Sequence, residues 1–394
     1  MDEHNKKIIQ SISFIRKFIS VFFTLFLNIY ILKSGNDFGL ILKYNLVGVI
    51  FNFIFIYLLM KFITNKNAKI IYTASFIELI ICIFLLMILK ENIIKIIYLF
   101  RIFYALQQVS YNTTRELIVI GANDHNSMSN FSANTYILES FATIFTPVFS
   151  GFIIEKFSYN VLFIILSVEA LLTIIIAFKL KSFYVDDRKL SIKEFIIKAK
   201  DYPHIKDSYN CMFFRRISLQ GAITDLLPII LFLRVGTELN VGAYNSMFAV
   251  ISILSLSWLK YLNKKKVEKK FYTTFAIIIF LSSVMLVFNS NFTTLILYYI
   301  LMNGLGSIIE SESCSMIFEA INVGNLIEYK REHEVIFCAY MLVGQVISYV
   351  LTYVLYTYFY DVSMLSIAIS IMMFFLIIAC MYLRKVERFF QKIR

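Results

Sequence analysis

Proline, glycine, histidine and tryptophan are scarce in this chain, with 3, 12, 4 and 1 copies among 394 residues. So few helix breakers leave room for long uninterrupted helices and little else. The five cysteines (Cys82, Cys211, Cys314, Cys338, Cys380) are scattered without a C-x-x-C pair, which excludes a disulfide framework or a thiolate metal site and reads as small buried hydrophobes. All four histidines (His4, His125, His204, His333) fall in tails or loops, and H-E-x-x-H, P-loop and G-x-G-x-x-G motifs are missing. The reading is therefore no enzyme, no cofactor, no metal and no in-chain use of ATP. A pore motif is missing as well, which excludes a channel. Solid apolar runs in place of ten-residue alternation exclude a β-barrel.

Hydrophobicity is what is abundant, at 59% of the chain, crowded into stretches such as Phe51 to Met60 and Ile80 to Leu89. A helix crosses the roughly 30 Å hydrocarbon layer in about 20 residues, and backbone donors in lipid must be satisfied within the segment. The pattern predicts twelve spans near 13–32, 38–60, 69–89, 93–117, 130–154, 160–178, 210–233, 241–259, 271–288, 293–318, 335–358 and 363–383. The polar start, Met1 to Gln10, lacks a cleavage site and predicts a retained first span. Six spans, a polar stretch and six more give two near-equal halves, as in transporters built from parallel six-helix repeats. The expected division is an N-terminal bundle over 1–180, a cytoplasmic linker over 181–209 and a C-terminal bundle over 210–394. Within the linker, Ser191-x-x-Glu194 ahead of Phe195, Ile196 and Ile197 predicts a capping box opening a short amphipathic helix that tethers the halves.

The net charge of +12 is explained by where the basic residues fall. With the N-terminus in the cytoplasm, only Lys33, Lys43, Lys90, Lys95, Lys156 and Arg234 face outward and only Arg101 lies within a span. That asymmetry fits the positive-inside rule and a multi-pass protein of the cell membrane with both termini cytoplasmic, without nucleic acid. The Ile, Lys, Asn and Tyr bias points to an AT-rich bacterial genome.

Thr146-Pro147-Val148-Phe149-Ser150-Gly151-Phe152 of span 5, then Glu155-Lys156-Phe157-Ser158-Tyr159, resembles the Gly-Pro-x-x-x-Gly segment of the major facilitator superfamily, its antiporters especially. Arg101 resembles that family's intramembrane arginine of helix 4, although Gln107 and Gln108 stand where glycine is usual. Arg115 with Asn130 to Asn134, Tyr202-Pro203-His204-Ile205-Lys206 and Leu226-Leu227-Pro228 are similar to the branch of macrolide-efflux proteins and siderophore exporters. The Gly-x-x-x-Asp-Arg loop usual between helices 2 and 3 is replaced by Met60-Lys61-Phe62-Ile63-Thr64-Asn65-Lys66-Asn67. Lys264, Lys265 and Lys266 in the equivalent loop also lack the Asp, so the resemblance implies a cytoplasmic latch built differently. It further implies an all-α membrane fold of two pseudo-symmetric six-helix bundles whose helices 1, 4, 7 and 10 line a central path.

Charged groups inside a membrane cost roughly 2.5–3.5 kcal/mol on insertion scales, so each is a candidate for function. A proton-coupled carrier needs a carboxylate that loads and releases a proton as access alternates. Asp225 in span 7 ranks first, with Pro228 three residues on removing a donor and favouring a bend. Glu310, which shares a face with Asn303, and Glu139 follow; Glu312 points about 200° away from Glu310. The bland account of Glu139 is an ion pair with Arg101. Arg101, Gln108, Asn112 and Arg115 form one face of span 4, either a counter-charge for a carboxylate or a substrate-binding surface. Asn28 is a further substrate-path candidate, and Pro147, Gly151, Arg115 and Pro228 are the gating candidates. Glu78 and Glu169 lie in spans 3 and 6, which the resemblance makes peripheral.

The expected function is proton-coupled export of a small amphipathic compound by a monomer rocking between two access states. Import of a nutrient or siderophore, flipping of a lipid or lipid-linked compound, and a non-transporting membrane sensor are the alternatives.

Overall fold

The structure is a computed structural model and describes residues 3–35, 37–121, 125–181, 188–264, 271–323, 326–359 and 365–393. Lys265, Lys266 and the side chains of Asn130 to Asn134 lie outside what it describes. Among the described residues the chain is helical, with turns but no strand. Eleven helical stretches among the described residues are long and apolar enough to cross a membrane. One of them, Ala68–Ile118, is two helices, Ala68–Leu89 and Ile97–Gly121, joined by a 3-10 turn over Lys90–Ile96, so twelve spans result. Lys90 enters that turn at φ 47°, the left-handed region in which a lysine sits under strain.

Several spans begin earlier than their apolar runs. Span 1 is His4–Gly35 and span 7 is Pro203–Val235, against expected starts at 13 and 210. Polar residues continue a helix past the hydrocarbon edge as readily as apolar ones, and Pro203 at the first helical turn has a preset φ and no donor to waste. Arg16 and Arg215, which hydropathy puts at span ends, consequently lie twelve residues past His4 and Pro203.

Contacts divide the chain into two compact units. The first holds Met1–Lys189 and Pro228–Met247; the second holds Leu190–Leu227 and Phe248–Arg394. In the first, span 1 packs on spans 5 and 6, span 3 on spans 4 and 6, and span 2 on span 4. In the second, the first helix of span 7 packs on spans 11 and 12, and span 9 on spans 10 and 12. The pairings of spans 1 and 3 are thus repeated by spans 7 and 9, which is the internal repeat of a fold built from two pseudo-symmetric six-helix bundles.

The turn between spans 2 and 3 is closed by Asn67. Its Oδ1 accepts from Thr64 N at 2.7 Å and its Nδ2 donates to Phe62 O at 2.9 Å. The linker helix forms over Ile192–Ala199, but the capping box does not. Ser191 makes no side-chain cap. Its backbone N–H donates to Glu332 Oε1 at 2.9 Å, while Glu194 accepts from Tyr329 and pairs with Lys198 at 3.3 Å. Carboxylate and phenol groups at the start of span 11 have taken both partners.

Candidate functional site: the break in span 7

Span 7 is not continuous. The helix Pro203–Ser218 stops, three residues run without helical structure, and a second helix, Ala222–Val235, resumes. A break inside a membrane strands backbone donors and acceptors, which must find partners elsewhere. Span 11 supplies them. Gln345 Nε2 donates to Gln220 O at 3.0 Å, and Ser348 Oγ accepts from Ala222 N at 2.9 Å. The approach requires glycine on both sides: a Cβ on Gly344 would lie 2.6 Å from Phe213 O, and one on Gly221 would lie 2.5 Å from Ser348 Cβ and 2.7 Å from Arg216 O. The break falls upstream of Pro228, through which the second helix runs.

Charge gathers at this point. Arg215, 1% exposed, donates through Nη1 to Glu310 O at 3.1 Å and to Cys314 Sγ at 3.3 Å, and through Nη2 to Gln220 Oε1 at 3.1 Å. Gln220 in turn donates to the Glu310 carboxylate. The amide is a relay: the buried guanidinium reaches the Glu310 carboxylate through Gln220. One turn beyond the break, Asp225 accepts from the Tyr349 hydroxyl, 124 residues away in span 11. Asp225 and Glu310 thus join one polar seam along spans 7, 10 and 11. Glu312 is buried two residues on from Glu310, about 200° round the helix.

The other candidates lie in different places. Glu139 pairs with Arg115 at 3.1 Å, so the ion pair expected with Arg101 is made by an arginine 14 residues further along span 4. Arg101 is instead packed 5.4 Å from the ring centres of Tyr44 and Tyr104, donates to Gln108 at 3.3 Å, and abuts Gly48, where a Cβ would overlap the guanidinium. Aromatic faces and an amide supply the compensation that a carboxylate would otherwise give. Asn112 is exposed, and Asn28 is buried and accepts from Asn45 at 3.2 Å. Asn303 donates to Tyr299 O at 2.9 Å within a π-helical turn, Met302–Gly306.

Pro147 and Gly151 mark a close crossing with span 8 in the first unit. A Cβ on Gly151 would lie 2.5 Å from Glu238 O, and Gly242 abuts Pro147 O. Around this crossing, Lys33 and Tyr159 both donate to the Glu238 carboxylate, the latter at 2.9 Å, and the Lys33 ammonium lies 5.0 Å from the Phe232 ring centre.

Sequence reasoning missed Arg215, Gln220, Ser348 and Tyr349. The Gln220-Gly221 pair inside an apolar run was the available signal for the break. A second regularity was also missed. Arg16 is buried at the equivalent place in span 1 and donates to Gln107 Oε1 of span 4 at 2.7 Å, while span 1 carries a π-helical turn, Phe22–Phe26, after 19 helical residues. Span 7 breaks after 16. Spans 1, 7 and 10 all depart from regular helix, and such departures concentrate at functional sites.

The architecture is the major facilitator fold. Two solved structures share it over nearly the whole chain. One is a bacterial homologue of the human lysosomal transporter Spinster in an inward-facing, unoccupied conformation, with a TM-score of 0.67, 11% identity, and cover of 100% of this chain and 99% of that one. The other is a bacterial homologue of the iron transporter ferroportin in an inward-facing state, with a TM-score of 0.67, 11% identity, and cover of 98% and 99%. No family model and no curated protein sequence matches the chain.

Proposed function

We propose that this chain is a secondary active transporter that exports a small amphipathic compound in exchange for protons by alternating access, working as a monomer in the cell membrane with both termini in the cytoplasm. The carrying observation is the broken span 7, with Asp225 and Glu310 held in hydrogen-bonded positions beside the break. Broken helices in transporters serve binding near mid-membrane, where irregular backbone lines a cavity. A carboxylate there accepts from Tyr349 when ionised; a proton on Asp225 removes the acceptor charge and weakens the tie between spans 7 and 11. Residues up to Leu227 belong to one compact unit and residues from Pro228 to the other, so Asp225 sits between a helix break and the change of unit. Export in place of import follows from the similarity of the Pro147 to Gly151 segment to antiporters.

The test is accumulation of a panel of amphipathic compounds in cells expressing wild type or Asp225→Asn, with and without a protonophore. Reduced accumulation in wild-type cells only, lost in the variant and on uncoupling, supports proton-driven export through Asp225. Export that persists in the variant moves the coupling role to Glu139 or Glu310, and export that persists without a proton gradient overturns proton coupling.

A further inference from the structure

Beside the linker helix Ile192–Ala199 lies a cavity of about 380 Å³, formed within the second unit by the helix, the start of span 7 and span 11. Its volume lies in the roughly 300–1,000 Å³ range of small-molecule pockets. The walls are apolar and aromatic, with Phe195, Tyr209, Ile336 and Tyr340 among them; Tyr209 and Tyr340 stack at 5.2 Å. Two lysines, Lys200 and Lys206, complete the lining, both exposed, and no acidic side chain joins them. Neither lysine has an ion-pair partner among the described residues. Lys198, by contrast, is already engaged: it donates to the Tyr329 hydroxyl at 2.5 Å and pairs with Glu194.

The linker helix also leaves two isoleucines bare, Ile196 in the cavity lining and Ile197 outside it. Ile196 and Ile197 are 45% and 57% exposed, while Phe195 is fully buried. A short helix with bare isoleucines and a lysine-rich polar side, leading straight into a membrane span, belongs in the plane of the headgroups. An apolar slot opening at that level and rimmed by two uncompensated ammonium groups matches an acyl chain joined to an anionic headgroup.

We infer that this slot holds one anionic phospholipid of the surrounding leaflet, with Lys200 and Lys206 on its phosphate and its acyl chain against Phe195, Ile336 and Tyr340. Bound there, the lipid fixes the linker helix to the start of spans 7 and 11. The inference rests on the membrane fold and not on the transport reading.

Native mass spectrometry of the full chain, titrated with phosphatidylglycerol or with phosphatidylcholine of the same acyl composition, tests it. Phosphatidylglycerol should be retained as a single tight adduct in preference to phosphatidylcholine. Lys200→Gln and Lys206→Gln should each weaken that adduct about five-fold, the usual electrostatic contribution of one lysine near an anionic lipid. Ala199→Phe, which narrows the slot without removing charge, should abolish the adduct while leaving thermal melting in lipid-free detergent unchanged. Equal retention of both lipids, or an adduct that survives both lysine substitutions, overturns the assignment. So does an adduct that survives Ala199→Phe, because the lipid then lies outside the slot.

Discussion

Arg215 carries its charge to a place where the direct answer would be a carboxylate, and receives an amide in between. Removing the carboxylate at the far end takes the acceptor from the Gln220 amide and the counter-charge from the guanidinium, which keeps its bonds to Glu310 O, Cys314 and Gln220 Oε1. Glu310→Ala should therefore destabilise the protein by about 1–3 kcal/mol, the cost of a buried polar group losing its partner, and more in so far as the charge is desolvated. Because both residues act through Gln220, Arg215→Met combined with Glu310→Ala should cost less than the sum of the single changes; thermal melting of the three variants measures the coupling. Gly221→Ala tests geometry in place of charge. The added methyl meets Ser348 Cβ at 2.5 Å and Arg216 O at 2.7 Å, and overpacking of this kind costs about 1–3 kcal/mol in the same assay. Asp225, Glu310 and Glu139 were visible in the sequence because each interrupts an apolar run. Their partners were not: Tyr349 stands 124 residues from Asp225, Gln220 90 from Glu310, and Arg115 24 from Glu139. Distances of that kind are set by packing, to which hydropathy is blind.

At the scale of the element, the spans were legible in number and approximate place, since about 20 apolar residues are what a bilayer demands. Their ends were not, because hydropathy marks the hydrocarbon and helices continue beyond it. Arg16 and Arg215, near the starts of their apolar runs, accordingly lie twelve residues into their helices. The break in span 7 left only the faint trace of Gln220-Gly221, and the π-helical turns at Phe22–Phe26 and Met302–Gly306 left no sequence pattern we recognise. The Pro147 to Gly151 segment gains a physical role: it lets span 5 and span 8 touch backbone to backbone. Gly242→Val should drive them apart at about 1–3 kcal/mol, equivalent to a roughly 5- to 150-fold change in population. Val241, fully buried beside it, reports the change. In a chain whose native cysteines are replaced by serine, Val241→Cys should become far more reactive to a maleimide when Gly242→Val is added.

At the scale of the whole molecule, two six-helix repeats were foreseen from the spacing of the apolar runs, and the pairings of spans 1 and 3 recur in those of spans 7 and 9. The polarity of the membrane insertion is a separate matter, resting on the lysines and arginines. A fluorescent protein fused to either terminus should fluoresce, and alkaline phosphatase inserted after Arg234 should be active; the opposite pattern reverses the topology. One feature of this fold bears on how the chain is made. Lys33 finds Glu238 205 residues later in the sequence. At a synthesis rate of about 5–20 residues per second the first ammonium waits about 10–40 s for its carboxylate to leave the ribosome. Over that interval the early helices must persist in the bilayer on their own contacts, and the first compact unit is complete only once Pro228–Met247, the end of span 7 and the start of span 8, has been made.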